Sequence, residues 1–277
     1  MKKILIAGAI MALFGVAQAQ TVSGTMRYDW TKAEGAVATT GITKSEIVIK
    51  ANEDLGAGMS VAAQMGVNGN GRGETLAGTD ASIAISGGFG TVSVGQVEAG
   101  NGIVGRAYAG APVMGADGSV LGGAANVDSI KYTLPAIGGF SASIGGTRAV
   151  DATTARAYTY ALSGAVGPLD TGVDYNETSK RVRVSAKATV AGLTVGAGWS
   201  GRETGVADSR AFGVSMPVGP LTVGAARSTG NGTANEFGAS YAMSKRTSVS
   251  YAYKSVTGNS TSATNVATNR VRLQHTF

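Results

Sequence analysis

The ten residues from Arg181 to Val190 read RVRVSAKATV, and their chemical character changes at every second position. Positions 181, 183, 185 and 187 carry arginine, serine and lysine, whereas positions 182, 184, 186 and 188 carry valine and alanine. Successive side chains of a β-strand point to opposite faces of the sheet, so a period of two is the period of a strand. The stretch therefore predicts a strand with one polar face and one apolar face.

The connections that flank this strand differ in kind, and the same alternation of kinds continues along the whole chain. VAGL at 190–193 is short enough for a tight turn, whereas the connection at 177–180 is polar. Seven short turns lie at 53–59, 86–91, 134–140, 166–170, 190–193, 217–221 and 243–247. Eight mostly longer and more polar loops lie at 31–42, 68–79, 98–126, 149–154, 177–180, 202–208, 229–234 and 257–266. Together these fifteen connections predict sixteen strands.

This alternation favours a membrane barrel over a soluble sandwich, because outer-membrane barrels have short periplasmic turns and longer external loops. Aromatic residues are expected at the outer ends of their strands at Tyr28, Trp30, Tyr158, Trp199, Phe212, Phe237 and Tyr253. Others are expected at the inner ends, at Tyr132, Phe140, Tyr241 and Phe277. Two such girdles are typical of a barrel whose rims meet lipid headgroups. The sequence predicts an all-β fold, a sixteen-stranded antiparallel transmembrane β-barrel.

The N-terminal stretch predicts export from the cytoplasm. A short basic start, MKK, precedes an apolar run from Ile4 to Ala17, and Ala17-Gln18-Ala19 supplies the small residues of a cleavage site. We expect residues 1–19 to be a cleaved signal peptide and residues 20–277 to form the barrel domain.

Composition argues against several other functions. The chain has no cysteine, which excludes thiolate metal sites and cysteine nucleophiles. Its 23 Lys and Arg against 17 Asp and Glu include no basic block, so we expect no nucleic-acid partner. Its one histidine, His275, has the parity of the lipid face, and the acidic residues match no calcium loop. We expect no catalytic residues, no cofactor, no metal site and no enzymatic activity.

Three stretches resemble the general porins of Gram-negative bacteria, most closely the small porins of beta-proteobacteria. ANEDLGAGMSVAAQ (51–64) is similar to the second hairpin of that family, and ISGGFGTVSVGQ (85–96) to its fourth and fifth strands. RLQHTF (272–277) is similar to its C-terminal strand, with His275 and Phe277 as the signature. The resemblance implies an outer-membrane channel, in contact with outer-membrane lipids, for passive diffusion of ions and small hydrophilic solutes. It also implies a homotrimer whose last strand is recognised by the barrel-assembly machinery.

The third loop, 98–126, is the longest connection, and the resemblance implies that it folds into the lumen to form a constriction. Its candidate constriction residues are Glu98, Arg106 and Asp117. A surface position for this loop is the alternative.

Strand parity places two sets of cations on the lumen face. We expect Arg27, Lys50, Arg270 and Arg272 to form a basic wall, with Lys50 beside Arg27 and Arg272. A second basic strip would consist of Arg181, Arg183 and Lys187. Cations in a narrow opening concentrate anions, which predicts a weak preference for anions. Ordinary solvated ion pairs within the lumen are the alternative reading of these charges. For the whole protein, the alternative is a structural or adhesive barrel plugged by the third loop, with little conductance.

Overall fold

The computed structural model describes residues 20–69, 77–98, 104–115, 126–147, 157–202, 205, 207–230, 232–258 and 266–277. Sixteen strands and one short helix make up its regular structure. The strands are β1 (Thr21–Ala33), β2 (Thr39–Gly56), β3 (Met59–Asn68), β4 (Ala77–Gly87), β5 (Gly90–Glu98), β6 (Asn126–Thr133), β7 (Phe140–Thr147), β8 (Tyr158–Val166), β9 (Leu169–Asn176), β10 (Val182–Val190), β11 (Leu193–Gly201), β12 (Ser209–Val218), β13 (Leu221–Gly230), β14 (Gly232–Ala242), β15 (Thr247–Thr257) and β16 (Val266–Thr276). The helix α1 (Val104–Ala107) lies between β5 and β6.

Each strand pairs antiparallel with its neighbours in sequence, and β16 pairs with β1 to close the barrel. The predicted fold class and strand number are therefore confirmed. The seven short turns all gather at one end of the barrel, here called the turn end, and the longer loops gather at the loop end. Among the described residues, no helix is long and apolar enough to span a membrane.

The hairpin between β10 and β11 shows why the turn end is tight. Ala191 and Gly192 are its two connecting residues, and both have positive φ, 50° and 84°. Positive φ at both positions is the geometry of a type I′ turn, whose twist matches that of the paired strands. The predicted VAGL turn is thus a two-residue hairpin.

Several strands extend further into the loops than the sequence pattern indicated. β1 runs to Ala33 and β2 begins at Thr39, so the connection predicted at 31–42 is much shorter. β14 begins at Gly232, two residues after the end of β13, where a loop at 229–234 was predicted. The backbone hydrogen bonds between strands form whether the side chains are polar or apolar. The strands therefore continue through polar residues that composition assigned to loops.

Side chains alternate between an exposed apolar outer face and an inner face of small or polar groups. On β12, Phe212, Val214 and Met216 are exposed, whereas the intervening Ser215 and the preceding Ala211 are buried. Outward aromatic side chains occupy both ends of the barrel, as at Phe237 near the loop end and Tyr241 near the turn end. Large apolar side chains facing outward are expected where the surrounding medium is lipid.

The seam between β1 and β16 is closed by Gly24 and Phe277. Their backbones exchange two hydrogen bonds, Gly24 N to Phe277 O at 3.0 Å and Phe277 N to Gly24 O at 3.1 Å. The Phe277 ring covers the place where a side chain at Gly24 would project. The absence of a side chain at Gly24 therefore leaves the space in which the terminal ring packs.

We expect Gly24→Ala to lower barrel stability, because the added Cβ would overlap the Phe277 ring and displace it. Overpacking of this kind costs about 1–3 kcal/mol. Gly78→Ala in β4 is the matched control, since its Cβ would meet no atom within 4 Å. Urea unfolding of the refolded barrel, followed by heat-modifiable gel migration, measures the difference. Equal unfolding midpoints for the two variants would contradict the packing role of Phe277.

Candidate functional site

The described part of the third loop, residues 104–115, lies inside the barrel along one side of its wall. Its residues Ala107, Tyr108 and Val113 are at most 5% exposed, and they form a small apolar core with Ala211 and Ala226 of the wall. The inward fold implied by the resemblance is therefore present. We call residues 104–115 the inner segment.

Glycines on four consecutive strands make room for the inner segment. An added Cβ at Gly196 or Gly213 would overlap the backbone of Arg106 or Tyr108. An added Cβ at Gly238 would overlap the Pro112 carbonyl. The fourth position, Gly224 on β13, lies against Ala111, which would be 2.7 Å from a Cβ there.

These four residues, Gly196, Gly213, Gly224 and Gly238, form what we call the glycine trough. Gly196 lies directly opposite Gly213 across β11 and β12, and Gly224 lies opposite Gly238 across β13 and β14. Glycine permits a backbone to approach this closely because it has no side chain. The trough therefore lets the inner segment lie flat on the wall.

An ion pair fixes the beginning of the inner segment. Arg106 Nε donates to Asp170 Oδ1 at 2.7 Å, and Lys187 Nζ lies 3.5 Å from the other carboxylate oxygen of Asp170. Asp170 on β9 and Lys187 on β10 are also direct cross-strand partners. Further along the segment, Ser215 Oγ donates to the Ala109 carbonyl oxygen at 2.5 Å.

Glu236 on β14 holds the other end of the segment. Its Oε2 accepts hydrogen bonds from the backbone N–H groups of Met114 and Gly115, both at 2.8 Å. Lys254 Nζ lies 3.8 Å from Oε1, and the carboxylate is almost entirely buried. Hydrogen bonds to a charged acceptor are stronger than those between neutral groups. Glu236 is therefore the principal polar clamp on Met114 and Gly115.

Three of the four predicted basic-wall residues do come together at the β1–β16 seam. Arg272 forms a two-pronged ion pair with Asp29, its direct cross-strand partner, at 2.7 and 2.6 Å. Arg27 Nε donates to Gln274 Oε1 at 2.8 Å. Arg270 Nη2 lies 3.5 Å from the Val113 carbonyl oxygen, which brings the inner segment to this wall.

Lys50 stands apart from that group, contrary to the expected arrangement. It lies opposite Thr21, whereas Lys44 lies opposite Arg27. Six residues of strand separate Lys44 from Lys50, about 20 Å at ~3.3 Å per residue. The lysine that neighbours Arg27 is thus Lys44, which pairs with Glu46 at 2.8 Å. Strand parity assigned Lys50 to the lumen face but could not give its position along the barrel axis, because the register of β1 on β2 cannot be read from alternation.

The second basic strip is largely neutralised by its neighbours. Arg183 and Asp174 form a buried pair, Nε to Oδ1 at 2.9 Å and Nη2 to Oδ2 at 2.5 Å. Their side chains are 4% and 3% exposed. Lys187 lies beside Asp170, and Arg181 is half-buried near the loop end.

The remaining predicted residues have mixed outcomes. Arg106 lies at the wall as described, whereas Asp117 and the side chain of Glu98 lie outside the described residues. His275 faces outward near the turn end, with its Nδ1 3.0 Å from Thr247 Oγ1 and its ring stacked on Phe277. The C-terminal signature thus forms one aromatic contact on the outer surface.

Sequence reasoning missed the residues that position the inner segment. Asp170, Ser215 and Glu236 hold it, and the glycine trough accommodates it. A signal was present, since each strand from β11 to β14 carries a glycine of inward parity. The register that brings these glycines together as two neighbouring cross-strand pairs emerges only from the paired strands.

Comparison with known proteins gives one family and many similar folds. A family model described as Gram-negative porin matches residues 7–267. A triple mutant of the Rhodopseudomonas blastica porin is 18% identical, with TM-score 0.76 over 94% of this chain and 100% of that chain. OmpT of Vibrio cholerae with its loop L8 deleted is 15% identical, with TM-score 0.76 over 95% of this chain and 100% of that one. No curated protein sequence matches significantly.

We expect Gly213→Ala to displace the inner segment toward the lumen, because the added Cβ would overlap the backbone of Tyr108. The displaced segment narrows the lumen, so single-channel conductance in a planar bilayer should fall. Gly41→Ala in β2, where a Cβ meets no atom within 4 Å, should leave conductance unchanged. A folded Gly213→Ala barrel with wild-type conductance would show that the segment does not limit the opening.

Proposed function

The chain belongs to the Gram-negative porin family and forms an outer-membrane channel, and from that premise we propose that it passes small hydrophilic solutes and ions by passive diffusion with a weak preference for anions. The turn end then faces the periplasm and the loop end faces the exterior. Sixteen strands enclose enough width for an aqueous channel.

The ion pairs of the inner wall are the observation that carries the anion preference. Carboxylates of the described inner wall lie within 4 Å of an Arg or Lys nitrogen at Asp29, Glu46, Asp170, Asp174 and Glu236. A carboxylate beside a cation attracts passing cations little, because the two fields largely cancel. Lys50, in contrast, is exposed and makes no hydrogen bond or ion pair with the described part of the chain. Lys50 therefore adds a solvated positive charge to the lumen wall, which favours the passage of anions.

The position of the inner segment supports a conducting barrel over a plugged one. Its described contacts are with β9 to β14 and with Arg270 of β16, which together form one side of the wall. A plug would instead need partner surfaces on both sides of the lumen. We therefore favour a channel that runs beside the segment.

We further propose that the protein is not an enzyme. Its single histidine, His275, lies on the outer surface next to Phe277 and Thr247. The Thr247 hydroxyl is 3.0 Å from its Nδ1, but among the described residues no carboxylate orients the ring as the third member of a triad.

Processing and assembly follow from the same family. We propose that residues 1–19 are a signal peptide removed on export, leaving residues 20–277 as the barrel. We also propose that the barrel-assembly machinery recognises β16, whose outer face carries Val271 and Leu273, together with Phe277 directly after it.

We propose a homotrimer, supported by the outer surface of β2 to β5. Small side chains, Ala51, Ala63 and Ala81, leave a groove of about 430 Å³ there, bordered by Ile49 and Ile83. A neighbouring barrel would fill this groove with its own apolar side chains, as close packing of membrane proteins requires.

Lys50→Glu should shift the reversal potential under a salt gradient toward cation preference, because it replaces a solvated cation of the lumen by an anion. The shift should be larger near 0.1 M than at 1 M salt, where the Debye length falls from about 10 to about 3 Å. Lys245→Glu, in the exposed turn after β14, makes the same charge change outside the lumen and should shift the potential much less. Equal shifts of the reversal potential for both variants would show that Lys50 does not set the selectivity of the channel.

Ala63→Trp should convert trimers to monomers, because the indole would fill the groove that a neighbouring barrel needs. Ala225→Trp, on the outer face of β13, is the matched control and should leave the trimer intact. Light scattering in detergent measures the number of chains per particle. A wild-type protein with one chain per particle would overturn the assembly proposal without touching the channel.

A further inference from the structure

Two arginines face the membrane rather than the lumen. Arg210 has the parity of the exposed Phe212 on β12, and Arg227 has the parity of the exposed Ala225 on β13. The residues between them in sequence, Ala211 and Ala226, are buried on the inner side. Neither arginine was singled out by the sequence pattern, which concerned lumen charges.

The strand register brings these two side chains within reach of one ligand. Arg210 lies directly opposite Thr229, and Arg227, two residues away along β13, lies opposite Phe212. Arg210 and Arg227 are therefore diagonal neighbours on one face, a relation that places side chains about 7–8 Å apart. Guanidinium groups are long enough to converge on a single group from that separation.

Their height places them at the level of lipid headgroups. Arg210 lies opposite Trp199, the outward indole at the loop end of β11. Phe237 and Tyr253 lie one row closer to the membrane centre than Arg227. Their rings stack, with centroids 4.9 Å apart. Arginine on the lipid face is tolerated at the interface but strongly destabilises a barrel at the midplane. The pair therefore sits at the outer girdle.

Neither of the two guanidinium groups has a carboxylate partner among the described residues. Arg227 Nη1 donates to the neutral amide oxygen of Asn235 at 3.3 Å. Arg210 makes no hydrogen bond or ion pair within the part of the chain that the structure describes. The nearby carboxylate of Asp208 instead accepts from Trp199 Nε1 at 3.3 Å and from the Arg202 backbone N–H at 3.4 Å.

We propose that Arg210 and Arg227 bind the phosphate of a phosphorylated lipid headgroup in the outer leaflet. The planar fork of arginine matches phosphate oxygens with two parallel hydrogen bonds, which makes arginine well suited to this ligand. Thr229 and Thr233, opposite one another on the same face, add hydroxyl groups beside the arginines. The apolar surfaces of Phe212, opposite Arg227, and of Phe237, one row closer to the membrane centre, receive the acyl chains. This proposal rests on the outer-membrane location and not on conductance or selectivity.

Native mass spectrometry of the full barrel in nonionic detergent tests the site. The probes are diphosphorylated lipid A, the same lipid without its phosphates, and inorganic phosphate. For wild type we expect tighter binding of the phosphorylated lipid than of the dephosphorylated one. The Arg210→Gln/Arg227→Gln double variant should bind it at least about tenfold more weakly, since hydrogen bonds between charged groups are stronger than those between neutral groups.

Lys32→Gln is the matched control. Lys32 is also an exposed cation near the loop end, on β1, but its ammonium group donates to the Ala36 carbonyl oxygen at 2.5 Å. Its loss should change lipid binding by less than about twofold, since its cross-strand partner is the neutral Asn269 and a single exposed cation contributes little. Heat-modifiable migration establishes that each variant is folded. If the glutamine pair does not fold, the Arg210→Lys/Arg227→Lys pair decides, because lysine keeps the charge and lacks the fork.

The outcomes separate the sources of the anion. Selective loss of phosphorylated lipid from the arginine variants supports the proposal. The proposal is overturned if wild type binds both lipids equally. It is also overturned if the phosphorylated lipid binds wild type and the folded double variant (glutamine, or lysine where the glutamine pair does not fold) equally. If inorganic phosphate binds wild type as tightly as the phosphorylated lipid, the pair is a free-anion site and the lipid assignment is wrong.

Discussion

The whole structure depends on satisfying backbone hydrogen bonds in a medium that offers none. Each unpaired N–H or C=O in lipid costs several kcal/mol, so a sheet that crosses a membrane must have no free edge. The pairing of β1 with β16 removes that edge, and the reciprocal bonds of Gly24 and Phe277 complete it at the turn end. Closure then divides every strand into an outer apolar face and an inner polar face, and it fixes which charges can meet.

The inner segment imposes a second constraint on the closed wall. A chain folded into the lumen must satisfy its own polar groups and must find space against side chains that point inward. The glycine trough provides the space, and Asp170, Ser215 and Glu236 provide the partners. Because these carboxylates are occupied by the segment and by Lys187 and Lys254, they contribute little field to the remaining lumen. The interactions of Asp170 and Glu236 therefore both anchor the segment and reduce the negative charge of the lumen, on which the proposed selectivity depends.

The sequence predicted the fold well and the site only in part, for a physical reason. Period-two alternation and the two kinds of connection report local properties, and they were enough for sixteen strands, the closed barrel and the face of each charge. Height on the wall depends on register, about which period-two alternation says nothing. Alternation is equally compatible with Lys44 and Lys50 beside Arg27, and only the pairing of β1 with β2 identifies Lys44 as the neighbour. The aligned glycines and the Arg210–Arg227 diagonal are likewise properties of paired strands and not of any one strand.

The most direct test is a planar-bilayer recording of the wild-type barrel under a salt gradient. A barrel whose inner segment lies on one wall, with its carboxylates paired to cations, should open in discrete conductance steps. Its reversal potential should have the sign of a weak anion preference. A correctly folded, heat-modifiable barrel that inserts without conducting would contradict the open lumen and favour a plugged structural barrel. A cation-preferring potential would contradict the proposed balance of lumen charges.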